Sequence, residues 1–198
     1  MKLRNKTLGK QPSPAYDLLI RGGRVLDPAS GTDAELDIAV SGKRIVRIET
    51  GIDPSNAARV VDVTGKVLTP GLIDLHTHIA GCLRKPAKED LMVMPDVAGV
   101  NSGTTTIIDA GSTGAYNAAG FINFVASQAK TRVLAFLNVG TMGLMRVPEV
   151  RDANDIDHDA MVAAIKARPD VFYGVKLRMV SPDITELGID LPLAAKAI

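Results

Sequence analysis

The chain has 198 residues, 46% hydrophobic and 23% charged, with 23 basic against 22 acidic side chains and a formal net charge of +1. That is a soluble globular composition, and so even a charge balance offers no field to gather nucleic acid or a membrane surface. A single cysteine excludes an internal disulfide and thiolate-rich zinc modules. The lack of Trp argues against base-stacking platforms, and no run of about 18 apolar residues is present to span a bilayer.

Residues 1–15 carry Lys2, Arg4, Lys6 and Lys10 and no acid. A secretory signal would next need about 7–15 apolar residues, but Thr7, Gly9, Gln11 and Ser13 interrupt, with Pro12 and Pro14 among them. The segment reads as a flexible leader on a cytoplasmic protein, with an organelle transit peptide as the alternative.

Residues 16–70 read as strand and turn. Asp17-Leu18-Leu19-Ile20 closes on Gly22-Gly23, and Leu36, Ile38 and Val40 alternate with Asp37 and Ala39. Turns at Ser41-Gly42 and Thr64-Gly65 separate further short apolar runs. Strands at roughly 8–12-residue spacing predict a small antiparallel sheet unit, and no helical stripe of useful length competes.

After Pro70-Gly71 strands alternate with helices. Strands are predicted at Leu72–Leu75, Thr104–Ile108, Val133–Leu137 and Phe172–Leu177. Helices are predicted over 88–101, split or kinked at Pro95, over 117–130, from Asp155 or Asp157 through Arg168, and from Leu191 onward. Residues 139–154 read as a long loop. This alternation implies right-handed βαβ units and a parallel sheet. A (β/α)8 barrel uses roughly 31 residues per unit, so residues 71–198 suffice for about four. The α/β reading is therefore the first half of a TIM barrel whose chain continues, or a small open sheet.

Two of the three histidines lie in His76-Thr77-His78, directly after the first of these strands. Residues i and i+2 of a strand point the same way, so both imidazoles can enter one space at the strand's C-terminal end, where barrels of this kind place their chemistry. Such a pair suits zinc or a similar divalent ion. A pair of hydrogen-bonded polar side chains at a strand end is the plainer reading of the bare dipeptide spacing.

Pro70-Gly71-Leu72-Ile73-Asp74-Leu75-His76-Thr77-His78 resembles the strand-1 motif of the amidohydrolase superfamily, which includes dihydroorotases, hydantoinases, ureases and N-acyl deacylases. Gly103-Thr104-Thr105-Thr106-Ile107-Ile108-Asp109 is similar to its second-strand signature. The resemblance spans roughly residues 16–198. It implies a metal-bearing barrel preceded by a small β-sandwich, here residues 16–70. It also implies two divalent metals, most simply zinc, bridged by a lysine at the end of strand 4 that has taken up CO2. Lys176 occupies that position. Burial of a lysine favours the neutral amine, which can become a carbamate with two oxygens for two cations; a lysine that snorkels to the rim is the alternative.

Arg178, two residues on, is a candidate for holding a substrate carboxylate or for a structural ion pair. Gly111-Ser112-Thr113-Gly114 could offer N–H groups to substrate or be a simple turn. His158, among Asp155, Asp157 and Asp159, reads as a surface residue, and Cys82 as a group lining the entrance or inert.

The resemblance places the remaining metal histidines on strands 5 and 6 and the general-base aspartate on strand 8, beyond Ile198. The 198 residues alone are therefore expected to be silent. Dihydroorotases carry an Arg two residues after the second metal histidine, where this chain has Ala80. That departure turns the expectation toward the deacetylase-type branch and hydrolysis of an N-acyl or O-acyl small molecule. A cyclic amide substrate, or a metal-free scaffold, is the alternative. A small molecule is the expected partner, rather than nucleic acid or membrane, and a homo-oligomer is compatible with everything above.

Overall fold

The computed structural model describes residues 14–80, 92–179, 188 and 190–197. The chain divides at Pro70/Gly71 into two compact units.

The first unit holds β1 (Leu18–Asp27), β2 (Thr32–Ser41), β3 (Arg44–Glu49), β4 (Val60–Asp62) and β5 (Val67–Leu68). Antiparallel pairing joins β1 to β2 and β2 to β3. On its other edge β1 pairs with β4 and β5 in the parallel sense. The sheet is thus mixed where the sequence predicts antiparallel pairing throughout. The link from β3 to β4, with a 3-10 turn at Pro54–Asn56, is long enough to carry the chain to the far side of β1, and alternation of side chains does not encode strand direction. The described strands of this unit form one sheet. Its core is small, built on Leu19, Ala39 and Ile52. A register shift in β1 between Ile20 and Gly23 lets the Gly22 N–H, at φ +74°, donate to the buried Asp37.

The second unit is a four-stranded parallel sheet in sequential order, β6 (Leu72–Thr77), β7 (Thr104–Ala110), β8 (Arg132–Asn138) and β9 (Phe172–Lys176). The helices are α1 (Pro95–Ala98), α2 (Ala118–Phe124), α3 (His158–Ala167) and α4 (Asp190–Lys196). Of the helix predicted over 88–101, the part before 92 lies outside the described residues. The rest begins at Pro95, whose missing N–H is harmless in a first turn, and passes into a 3-10 turn at Val100–Ser102. The helix predicted over 117–130 is shorter in α form. Beyond Phe124 it continues as a 3-10 turn, where Ser127 Oγ donates back to the Asn123 carbonyl at 2.8 Å. Asp157 caps α3, its side chain accepting the Ala160 N–H at 2.9 Å.

One face of this sheet meets the helices. Ile107, Val133, Ala135, Leu137 and Phe172 share a core with Phe121 and Val125, which face inward from α2 and its end, and Met161 of α3. The rings of Phe121 and Phe172 stand 6.2 Å apart. In β9 the ladder skips a residue: Ala135 pairs with Phe172 but Phe136 pairs with Gly174. This bulge at Tyr173 changes the phase of the strand. Phe172 enters the helix-side core, and Lys176, paired with Asn138, lines a pocket. Strand β6 is an edge of the described sheet, with Leu72, Ile73 and Leu75 exposed. None of the described helices is long and apolar enough to cross a membrane.

Candidate metal centre

A pocket of about 450 Å³ is lined by His76, His78, Asn138, Glu149, Lys176 and Arg178, with apolar residues between them. These residues come from the C-terminal ends of β6, β8 and β9 and from the loop after β8. The predicted triad of His76, His78 and Lys176 is therefore brought to one space, although two strands, β7 and β8, lie between β6 and the strand of Lys176 in the sheet order.

The two imidazoles meet edge to face with centroids 5.3 Å apart. Nδ1 of His78 hydrogen-bonds Ser112 Oγ at 3.0 Å, which leaves Nε2 as the other ring nitrogen for a ligand. Behind them sits Asp109, fully buried at the end of β7. Its two oxygens accept the backbone N–H groups of Ile79 at 2.9 Å and Ser112 at 2.7 Å. One carboxylate thus ties the loop after β6 to the loop after β7 and fixes the partner of His78. Burial pushes the Asp109 carboxyl up, against the hydrogen bonds from Ile79 and Ser112 and the nearness of His78. Burial likewise pushes His78 below the usual imidazole value. Asp109 opposes that shift, while His76 and Lys176 reinforce it. The shift favours the neutral imidazole, the form that ligates metals.

Lys176 passes over Gly111. A Cβ at that glycine, whose φ is +86°, would lie 2.6 Å from Lys176 Cγ and 2.8 Å from its Cβ. Only a residue without a side chain clears this path. The donor chemistry fits a divalent ion in part: two imidazoles are present, while Lys176 becomes a ligand only by gaining a carboxylate. Among the described residues no group of three or more His, Cys, Asp or Glu side chains is placed to hold a metal.

Arg178 also reaches this pocket, where Nη1 donates to Glu149 Oε1 at 3.0 Å. Glu149 and Asn138 were not legible as site residues in the sequence. Glu149 lies 29 residues from Arg178, inside the stretch predicted as a loop, and only its position in a charged, Pro-containing segment hints at a buried role. In the Gly111–Gly114 segment several backbone groups serve the fold. Ser112 N–H goes to Asp109, Gly114 N–H to Asn117 Oδ1 at 2.9 Å, and the Thr113 carbonyl accepts from Asn138 N at 2.8 Å. His158 is at the exposed start of α3, away from the pocket, where it meets Asp159 and the Ala197 carbonyl. Cys82 lies outside the described residues.

No protein-family model matches the chain. It is 37% identical over 152 residues to a deacetylase of Brucella anthropi, a match covering 74% of this chain and 36% of that protein. In structure it is similar to an adenine deaminase, with TM-score 0.79, 32% identity, and coverage of 92% of this chain and 46% of the other. It is likewise similar to a dihydroorotase, with TM-score 0.76, 28% identity, and coverage of 91% and 48%. The chain belongs to the amidohydrolase superfamily, whose relatives here are hydrolases of carbon–nitrogen bonds. It spans less than half the length of each of these relatives.

Proposed function

We propose that this chain supplies part of the active site of a metal-dependent amidohydrolase that cleaves an N-acyl or O-acyl small molecule. The observation that carries the reading is the convergence of His76, His78 and Lys176 on one pocket at the C-terminal ends of parallel strands. The deacetylase relative supports an acyl substrate over a cyclic amide.

His76 and His78 would hold one metal ion, and Lys176, carboxylated by CO2, would bridge it to a second, with zinc the expected metal. Bound there, the metals would supply polarisation of the acyl carbonyl and a water acidified toward neutral pH. Burial favours the neutral form of His78, and Ser112, itself held by Asp109, would orient the ring. Arg178 would hold an anionic part of the substrate. The general base, an aspartate, and the other metal histidines would come from sequence after residue 198, so these 198 residues alone are expected not to turn over. In the same reading, residues 1–15 are a leader and the single sheet of residues 16–70 is one layer of a β-sandwich. Residues 71–198 are the first four units of a barrel whose later strands cover Leu72, Ile73 and Leu75 of β6. The protein would work in the cytoplasm, as a monomer or a homo-oligomer.

Metal analysis of the full-length protein tests this. Near two equivalents of zinc are expected, falling by at least half in a His76→Ala/His78→Ala double variant. A wild-type protein that holds no metal sinks the enzyme reading in favour of a scaffold. A hydrolysis screen of N-acetyl compounds against cyclic ureides then separates the deacetylase from the cyclic amidohydrolase.

A further inference from the structure

We infer that Asn138 is a positioning residue for Lys176: its side-chain amide pins the Gly111 peptide, and that peptide is the wall along which the lysine stem reaches the space of His76 and His78. The inference rests on the hydrolase reading above for what Lys176 does once it is there.

Asn138 ends β8 and is 2% exposed, so the polar atoms of its amide need partners inside the protein. Nδ2 has two hydrogens to give, and both are spent, on the Gly111 carbonyl at 3.1 Å and on Glu149 Oε2 at 2.8 Å. Oδ1 accepts the Gly140 N–H at 2.8 Å. That bond fixes which end of the amide is oxygen, since a flipped amide would set two donors against each other. One buried side chain thereby joins the turn after β7, the start of the loop after β8 and the carboxylate of Glu149. The backbone around it is bonded as well: Asn138 N–H goes to the Thr113 carbonyl at 2.8 Å and Val139 N–H to the Lys176 carbonyl at 2.9 Å.

Lys176 stands opposite Asn138 in the ladder between β8 and β9. Its four-carbon stem is flexible, and holding the end in one place costs rotamer entropy that packing has to offset. Gly111 supplies that packing. The point where a Cβ on Gly111 would sit is 2.6 Å from Lys176 Cγ and 3.4 Å from Asn138 Nδ2, so stem and amide close on the same glycine. Glycine is the residue freest to rotate, and Gly111 is buried. Without the donation from Nδ2 its carbonyl loses that partner, and the peptide turns to find another. Ser112, the next residue, is held separately by Asp109, so the partner of His78 keeps its place. Carboxylation joins the Nζ lone pair to the carbon of CO2, moves one C–O electron pair onto oxygen and releases a proton from Nζ to water. The two oxygens so formed serve two metals only if Nζ is delivered beside the histidines, and delivery is what Asn138 governs.

The test uses the full-length protein with zinc and 13C-labelled bicarbonate as probes. Wild type is expected to bind two zinc ions and to show a carbamate resonance in 13C NMR that Lys176→Ala lacks. Asn138→Asp removes both donations and keeps the acceptor for Gly140. It is expected to lower carbamate occupancy at least about tenfold and affinity for the second zinc ion about ten- to hundredfold, while the first zinc ion binds as in wild type. Because this variant sets two carboxylates together, the double variant Asn138→Asp/Glu149→Gln is made beside it. There the amide at 149 donates to the carboxylate at 138, which restores that link and the net charge but not the bond to Gly111. The double variant is expected to fold and to show the same selective loss. A carbamate and two zinc ions kept in the double variant overturn the inference. So does equal weakening of both zinc ions, or failure of both variants to fold, since either marks Asn138 as support for the whole unit. A wild type with two zinc ions and no carbamate on Lys176 overturns it too and leaves a hydrolase bridged in another way. A wild type with the carbamate, lost in the double variant, but with no zinc upholds the inference and sinks the hydrolase reading.

Discussion

Asp109 shows how much of this site depends on one residue that takes no direct part in lining it. It is fully buried and aims both oxygens at backbone N–H groups on two different loops. Through Ser112 it sets which nitrogen of His78 stays available. Partners of this kind commonly tune metal affinity by about ten- to a hundredfold. Ser112→Ala is therefore expected to weaken zinc binding by at least about tenfold in a competition titration against a chelator, while unfolding of the metal-free protein shifts little. A metal affinity equal to wild type would show that His78 is oriented by packing alone. His76 and His78 stand out as candidates in the sequence because imidazole pairs at a strand end are chemically pointed, whereas Lys176 is a candidate only through the resemblance that places a lysine at the end of strand 4. Asp109 and Glu149 were not, because a carboxylate's role is set by what it is buried against. Arg178 was legible only as a choice between two roles, and the partner that makes it intelligible is 29 residues away.

At the scale of elements, the segment from Val139 to Ile156 decides where Glu149 sits. Its base is closed by Asp155, which is paired with Arg146 and accepts from the Arg151 N–H at 2.9 Å and Arg151 Nε at 3.2 Å. The Asp155 carbonyl receives the Thr141 N–H at 2.9 Å. Burial by itself would raise the Asp155 carboxyl, but the hydrogen bonds from Arg151 and Arg146 and the charge of Arg146 outweigh it and bring the group down to about 2. A carboxyl depressed on folding contributes stability that is complete above its ordinary value near 4 and is lost as pH falls through its folded value. Denaturant midpoints followed between about pH 5 and pH 2 should therefore fall less steeply in Asp155→Asn than in wild type. An unchanged acid limb would mean that Asp155 is not the titrating group. Crossing of the same segment over β8 requires Gly140, where a Cβ would lie 2.3 Å from the Glu149 carbonyl oxygen and 3.3 Å from Asn138 Oδ1. Gly140→Ala should displace Glu149 and destabilise the unit by about 1–3 kcal/mol, read in chemical denaturation. The loop itself was legible from its two glycines and scattered charges. Its fold back onto Asn138 was not, because no periodic pattern marks it.

For the whole molecule, the candidate ligands all belong to the unit that begins at Gly71. Binding linked to one folded unit stabilises that unit by mass action. Zinc at a hundred times its Kd should add about 2.7 kcal/mol to the unfolding of residues 71–198. Hydrogen exchange of residues 71–198 with and without chelator measures this, and unchanged protection there would assign the metal elsewhere.

Sequence alone marked which stretches become strand or helix and which side chains are candidates for the chemistry, since period-2 alternation, capping residues and the His76-Thr77-His78 spacing are local properties. Only the tertiary structure decided the rest. It set the parallel entry of β4 and β5 beside β1. It placed the bulge at Tyr173, which puts Phe172 in the core and Lys176 in the pocket, and it divided the oxygens of Glu149 between Asn138 and Arg178. Each of these depends on which ladder or partner is met across space. Hydrogen bonds and charges act over a few ångströms, and that distance is set by the packed chain rather than by separation along it.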